Sequence, residues 1–186
     1  CSSDLEGQGY GNLSFSYDQR FDINAQLGIA SQSYGANTFY SANYNNQYEK
    51  TDHGMASLNL SLHNQEKTWE IAPQFYYNKF KDHYQLKRGI AGAAAGENYH
   101  DLDVYGGGLN ANVAWALGKT AVGFDISKEC IYSTALGEEL AEKDYKDISG
   151  SDRQYTRKGE RTNTNIMLEH NFIFGGFTLS AGVLAN

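Results

Sequence analysis

Phe21-Asp22-Ile23-Asn24-Ala25-Gln26-Leu27-Gly28-Ile29-Ala30 sets Phe21, Ile23, Ala25, Leu27 and Ile29 against Asp22, Asn24, Gln26 and Gly28. That is a period of two, the spacing at which a strand places successive side chains on opposite faces. The segment therefore reads as a strand with one apolar and one polar face. The same phase recurs upstream, where Leu13, Phe15 and Tyr17 oppose Ser14, Ser16 and Asp18. It recurs downstream, where Ala56, Leu58, Leu60 and Leu62 oppose Ser57, Asn59 and Ser61.

Five more segments follow the rule. They run through Trp69 to Asn78, Gly108 to Trp115, Val122 to Ser127, Asn165 to Glu169 and Phe177 to Leu184, giving about eight strands in all. Pro73 falls inside the first of these, where a missing N–H breaks a ladder bond, and a local bulge is expected there. Thr134 to Lys146, rich in Ala, Leu, Glu and Lys, reads as a short helix or a solvated loop.

The connections alternate in length. Short ones fall near Gln19-Arg20, Asn64 to Thr68, Leu117 to Lys119 and Phe174 to Gly176, and long ones near Ser31 to Lys50, Lys81 to Asp101 and Ser133 to Glu160. Short turns on one side and long loops on the other are the plan of an outer-membrane barrel. Lys and Arg are absent from the apolar set of every strand. Tyr17, Phe21, Trp69, Trp115 and Phe177 gather beside the short turns, as a membrane-interface girdle would.

Composition agrees with this reading. The chain of 186 residues has 14 Tyr, 20 Gly and one Pro, a balance that suits strands and turns. Its mean hydropathy of -0.58 does not oppose a membrane barrel, in which only alternate strand residues face lipid. The formal net charge of -7 and the lack of a basic stripe exclude a nucleic-acid surface. Cys1 and Cys130 have neither disulfide-framework nor zinc spacing. Cys1-Ser2-Ser3-Asp4 matches the start of a mature lipoprotein, but without an initiator Met or export signal truncation is the preferred expectation.

Chemistry-bearing groups are sparse. His53, His63, His83, His100 and His170 are scattered, without the spacing of a metal site or a nucleophile and base, so no enzyme, metal site or cofactor is expected. Gly106-Gly107-Gly108 lies inside a strand pattern and reads as close backbone approach or curvature rather than a phosphate loop. Asp101 and Asp103 share a strand face near the long-loop end, an arrangement that serves calcium or simply solvation. Of the loop tyrosines Tyr34, Tyr40, Tyr44 and Tyr48, the last three join Asp101 and Asp103 as candidate ligand contacts.

Several stretches carry a family resemblance. Tyr34-Gly35-Ala36-Asn37-Thr38-Phe39-Tyr40-Ser41 with Asn46-Gln47-Tyr48-Glu49, then Asp103-Val104-Tyr105-Gly106 with Leu109-Asn110-Ala111, resemble TonB-dependent outer-membrane receptors of Bacteroides-type bacteria, the cobalamin-receptor-like group in particular. Leu117 to Ala121, Ile131 to Thr134 with Leu136-Gly137, and Arg161-Thr162-Asn163 with Leu168 to Asn171 extend the similarity over most of the chain. The resemblance implies a plugged barrel of roughly 22 strands.

The resulting expectation for residues 1–186 is all-β: an antiparallel up-and-down transmembrane β-barrel segment, with the plug and remaining strands elsewhere. Its place would be the cell outer membrane, and its partners outer-membrane lipid, an extracellular nutrient such as cobalamin or an iron chelate, and the TonB complex through the plug. Two rivals remain open. One is a complete small eight-stranded barrel with a structural or adhesion role, and the other a soluble ligand-binding barrel.

Overall fold

The computed structural model describes residues 3–18, 20–90 and 96–186. Gln19 of the first turn, Cys1 and Ser2 of the lipoprotein-like start, and 91–95 of the second long connection lie outside the described residues. The chain is all-β. Eight long strands follow one another as an antiparallel meander, each hydrogen-bonded to the next. They are β1 (Ser3–Tyr17), β2 (Phe21–Asn37), β3 (Gln47–His63), β4 (Trp69–Gln85), β5 (Glu97–Trp115), β6 (Gly118–Ser133), β10 (Arg157–Phe174) and β11 (Phe177–Ala185).

The third long connection carries β7 (Glu138–Glu139), which pairs with β10, and a separate ribbon of β8 (Lys146–Asp147) and β9 (Gln154–Tyr155). Of the two readings of Thr134 to Lys146, helix or solvated loop, the helical one is reduced to one 3-10 turn at Glu142–Asp144, the span being divided among β7, that turn and the start of β8. Pairing with β10 and β9 satisfies backbone groups that an isolated helical turn could not. Among the described residues, β1 and β11 do not pair with each other, so the sheet is open.

Register shows why the alternation matters. Phe15 pairs with Ile23 and Ile23 with Leu60, while Leu109 pairs with Phe124, Phe124 with Ile166 and Ile166 with Ala185. Pro73 pairs with Leu109, and the register on either side sets it opposite Leu60, although the Leu60–Pro73 pair itself is unmade. One step nearer the short turns, Tyr17, Phe21, Leu62, Ile71, Ala111, Val122, Leu168 and Val183 form a second unbroken row. Since paired residues share a face, one surface of the sheet is apolar across all eight strands. It is also exposed: Phe15 retains 55 % of its accessible surface, Ile166 54 % and Val183 70 %.

The opposite face is polar and cross-linked by side chains. Asn24 Nδ2 donates to Asn12 Oδ1 at 3.0 Å and to Ser14 Oγ at 2.7 Å, and the oxygens of Glu70 accept from Ser61 Oγ at 2.6 Å and Asn112 Nδ2 at 3.1 Å. An apolar core is almost lacking. Ala36, Ile148 and Tyr155 are the buried hydrophobic residues among those described.

Pro73 does not introduce the anticipated bulge. Asn59 pairs with Gln74 on one side and Leu62 with Ile71 on the other, in the same register, and only the pairs at Leu60 and Ser61 are absent. Proline withholds its N–H from β3, so the ladder opens over two residues without inserting one. The glycine run does provide close approach. A Cβ on Gly106 would sit 2.6 Å from the Tyr76 ring and hydroxyl and 2.8 Å from the Ile126 carbonyl oxygen. Across that gap the Tyr76 hydroxyl donates to Asp125 of β6 at 3.2 Å.

Candidate functional site

The short turns and the long connections lie at opposite ends of the sheet. At the short-turn end, Tyr17, Phe21, Trp69, Trp115 and Phe177 occupy the outermost ladder positions of their strands, all on the apolar face. The turns are tight enough to demand glycine at Gly118, where φ is +132° and a Cβ would collide with the Asn171 carbonyl oxygen.

The long-connection end carries two polar hubs, one on each face. On the polar face, Glu49 Oε2 accepts from the hydroxyls of Tyr34 at 2.5 Å and Tyr40 at 2.6 Å. Gln47 holds the β2–β3 loop from below: its Nε2 donates to the carbonyls of Ser41 and Tyr44, and its Oε1 accepts from the Tyr40 amide and the Tyr84 hydroxyl. Burial and the Glu49 carboxylate press the Tyr34 phenol upward, and hydrogen bonding to Glu49 with burial takes Tyr40 to about 12. Asp82 faces the same hub from β4 and is raised to about 7, first by burial and then by Glu49.

On the apolar face the hub is Glu97, which is buried. Its Oε1 accepts from Gln85 Nε2 at 3.0 Å and the Tyr99 hydroxyl at 2.9 Å, and approaches His83 Nε2 at 2.7 Å. The Glu97 carbonyl accepts from Arg153 of the third long connection at 2.6 Å, and His83 stacks on Tyr99 with centroids 4.1 Å apart. Ile148 and Tyr155 are buried in the same connection. Both hubs anchor loops to strands.

The five candidate ligand residues do not converge. Tyr40 belongs to the Glu49 hub, whereas Tyr44 lies under the Lys87 ammonium at 5.2 Å and Tyr48 under the Arg88 guanidinium at 4.4 Å. Asp101 and Asp103 do share a face, but it is the apolar one, in ladder positions above Tyr105. There Lys79 binds both carboxylates, with Asp103 at 2.8 Å, and the Tyr77 hydroxyl donates to Asp103 at 2.5 Å. Among the described residues no group of three or more His, Cys, Asp and Glu is placed to hold a metal ion. Among the described residues no helix is long and apolar enough to cross a membrane, which has no bearing on strands.

Glu49, Gln47, Asp82 and Glu97 escaped the sequence reading. The available signal was the acid at the far end of an alternating strand, but its meaning needs the Tyr34–Glu49 register, which only the folded hairpin provides. No family model matches this chain, and no curated protein or solved structure matches it either.

Proposed function

We propose that this chain is part of the wall of an outer-membrane β-barrel, with the apolar face toward lipid and the polar face toward a wet lumen. One observation carries the reading: an apolar row from Tyr17 to Val183 runs without a break across eight strands on an exposed face, bordered by aromatics at the short-turn end. A soluble protein would leave that surface uncovered at large cost, since each Å² of apolar area in water costs roughly 25 cal/mol. Lipid removes the cost. The strands, of up to 19 residues, exceed the roughly 9–11 a membrane strand requires, so their upper halves stand above the bilayer and carry the loops.

Within that class, the segments similar to TonB-dependent receptors support a role as wall and extracellular loops in energy-coupled uptake of a scarce nutrient such as a corrinoid or iron chelate. The plug that contacts the TonB complex would belong to the remainder of such a receptor. The strand count by itself favours a second reading, a complete eight-stranded barrel, and the separation of β1 from β11 counts against it.

The test is spin labelling of the intact protein in lipid bilayers, with single labels at Leu60 and at Asn59. The expected result is oxygen-accessible, nickel-chelate-inaccessible behaviour at Leu60 and the reverse at Asn59. Equal accessibility to both relaxants at the two positions would refute the membrane reading.

A further inference from the structure

Above the apolar rows the same face changes character within two ladder steps. Tyr77 pairs with Tyr105 and Tyr105 with Lys128. One step higher are Lys79, Asp103, Cys130 and Glu160, and above them Lys81, Asp101, Tyr132 and Lys158. Below Lys128 this face has no Lys or Arg in any strand among the described residues. Four lysines thus begin where the apolar surface ends, on a chain whose formal net charge is -7.

Four carboxylates, Asp52, Asp101, Asp103 and Glu160, oppose these four lysines, and Lys146 beside them leaves the local balance positive. Lys128 and Lys158 share one carboxylate, Glu160, at 2.8 and 2.5 Å. Lys81 is half exposed and stands 3.9 Å from an Asp101 whose other oxygen is taken by Lys79. Lys146 of β8 adds a further ammonium 3.6 Å over the Tyr132 ring. Beside Lys81 the surface is hollow, about 800 Å³, because Gly7, Gly9 and Gly54 present no side chains there, and Ile29 lines it.

We infer that this lysine row is a docking surface for phosphate-bearing anionic lipid headgroups at the long-loop border of the membrane. The inference rests on the proposed membrane placement and adds the lipid chemistry. One headgroup phosphate meets Lys81, with the hollow beside Gly9 and Gly54 admitting its bulk and the acyl chains descending over Leu27 and Leu58, and a second phosphate meets the Lys128–Lys158 pair, two to three strands or roughly 10 to 15 Å along the row. Tyr77 and Tyr105 occupy the intermediate level, where amphipathic rings are favoured. Asp52, which accepts from Ser31 Oγ at 2.5 Å, and Asp101 line the same zone, so the row discriminates against a bare surplus of anion and favours a headgroup that brings apolar contact with it.

The experiment compares lipid retention by the intact protein, purified in mixed micelles containing phosphatidylglycerol or phosphatidylcholine and read by native mass spectrometry. Wild type is expected to retain phosphatidylglycerol preferentially, and Lys81→Glu, Lys128→Glu and Lys158→Glu to weaken retention about fivefold each. Equal retention of the two lipids, or a preference unaltered in the triple variant, would overturn the inference while leaving membrane insertion intact. Displacement of the lipid by millimolar inorganic phosphate would also overturn it, by showing a site for the free anion. A protein that fails to enter bilayers at all, as read by the Leu60 and Asn59 labels, would refute the membrane placement and this inference together.

Discussion

Asp82 and Glu49 lie on neighbouring strands, one ladder step apart on the polar face, and Asp82 Oδ1 is buried without a hydrogen-bond donor. Glu49 is already engaged by two tyrosine hydroxyls. Asp82 is also faced by Thr51 and His53 of β3, by His100 of β5 and by Tyr84 of its own strand, and burial lowers the pKa of His100. Burial and the neighbouring Glu49 carboxylate both disfavour an ionised Asp82, so the protonated form persists up to about pH 7, and it lets Asp82 donate toward Glu49.

Stability should follow. An acid whose folded pKa is raised stabilises the fold fully below its unfolded value, near 3.8, and loses that contribution as pH climbs through its folded value, about 7. The urea midpoint of the intact protein is therefore expected to fall between pH 5 and 7.5 and then level off. Asp82→Asn, which retains a donor and cannot ionise, should flatten the fall. An unchanged pH slope in the variant would show that Asp82 is not its source.

The two faces of β3 should respond oppositely to charge. Leu60 lies in the apolar row with Ile23, and Asn59 pairs with Asn24 and Gln74 on the polar face. Leu60→Arg is expected to cost about 2 to 4 kcal/mol in refolding into lipid, the penalty for Arg near the bilayer midplane, and Asn59→Arg much less. Leu179→Arg, nearer the short-turn border, should cost less than Leu60→Arg for the same reason. Equal penalties at Leu60 and Asn59 would contradict the face assignment.

Gly106 should resist even a methyl group. Gly106→Ala puts a Cβ against the Tyr76 ring and the Ile126 carbonyl, and is expected to destabilise by about 1 to 3 kcal/mol, the usual cost of overpacking. Tyr76→Ser in the same molecule should recover part of the loss, because the carbonyl contact persists when the ring is gone. A double-mutant cycle in lipid-refolded protein measures that coupling, and additivity of the two changes would show that Tyr76 does not depend on the glycine.

The strands were legible because their apolar residues alternate over long stretches: Phe21 to Ile29 in β2 and Ala56 to Leu62 in β3 appear with the expected faces and mutual pairing. Extension beyond those stretches was not legible. Upper strand segments give period two little contrast to report: Gln47 to Asp52 is polar or amphipathic on both faces, and in Lys79 to His83 the apolar Phe80 falls on the otherwise polar face. Asp101 and Asp103 share a face, as their spacing of two implies, and the ladder from Tyr105 down to Val113 identifies that face as the apolar one. Pro73 misled through a general rule: proline often marks a bulge, but here β3 and β4 keep register on either side and leave two pairs unmade.

The final prediction concerns the edges. β1 offers 15 residues and β11 nine, and among the described residues neither has a partner on its outer side. An unpaired strand exposes a row of N–H and C=O groups that another chain can pair with, and in lipid such groups have no water to satisfy them. The 186-residue chain in detergent is therefore expected to form heterogeneous oligomers on gel filtration, whereas the same residues inside a closed larger barrel would not. β11 is the stronger driver, since Leu179, Val183 and Leu184 are exposed beside its open edge with no charged residue between Phe177 and Ala185 to discourage pairing. Ser180→Lys together with Thr178→Lys, on the polar face of β11, should shift the chain toward smaller species. A monodisperse monomer from the unaltered chain, with mobility in gels that changes on heating, would instead mean that β1 and β11 meet and that eight strands close by themselves.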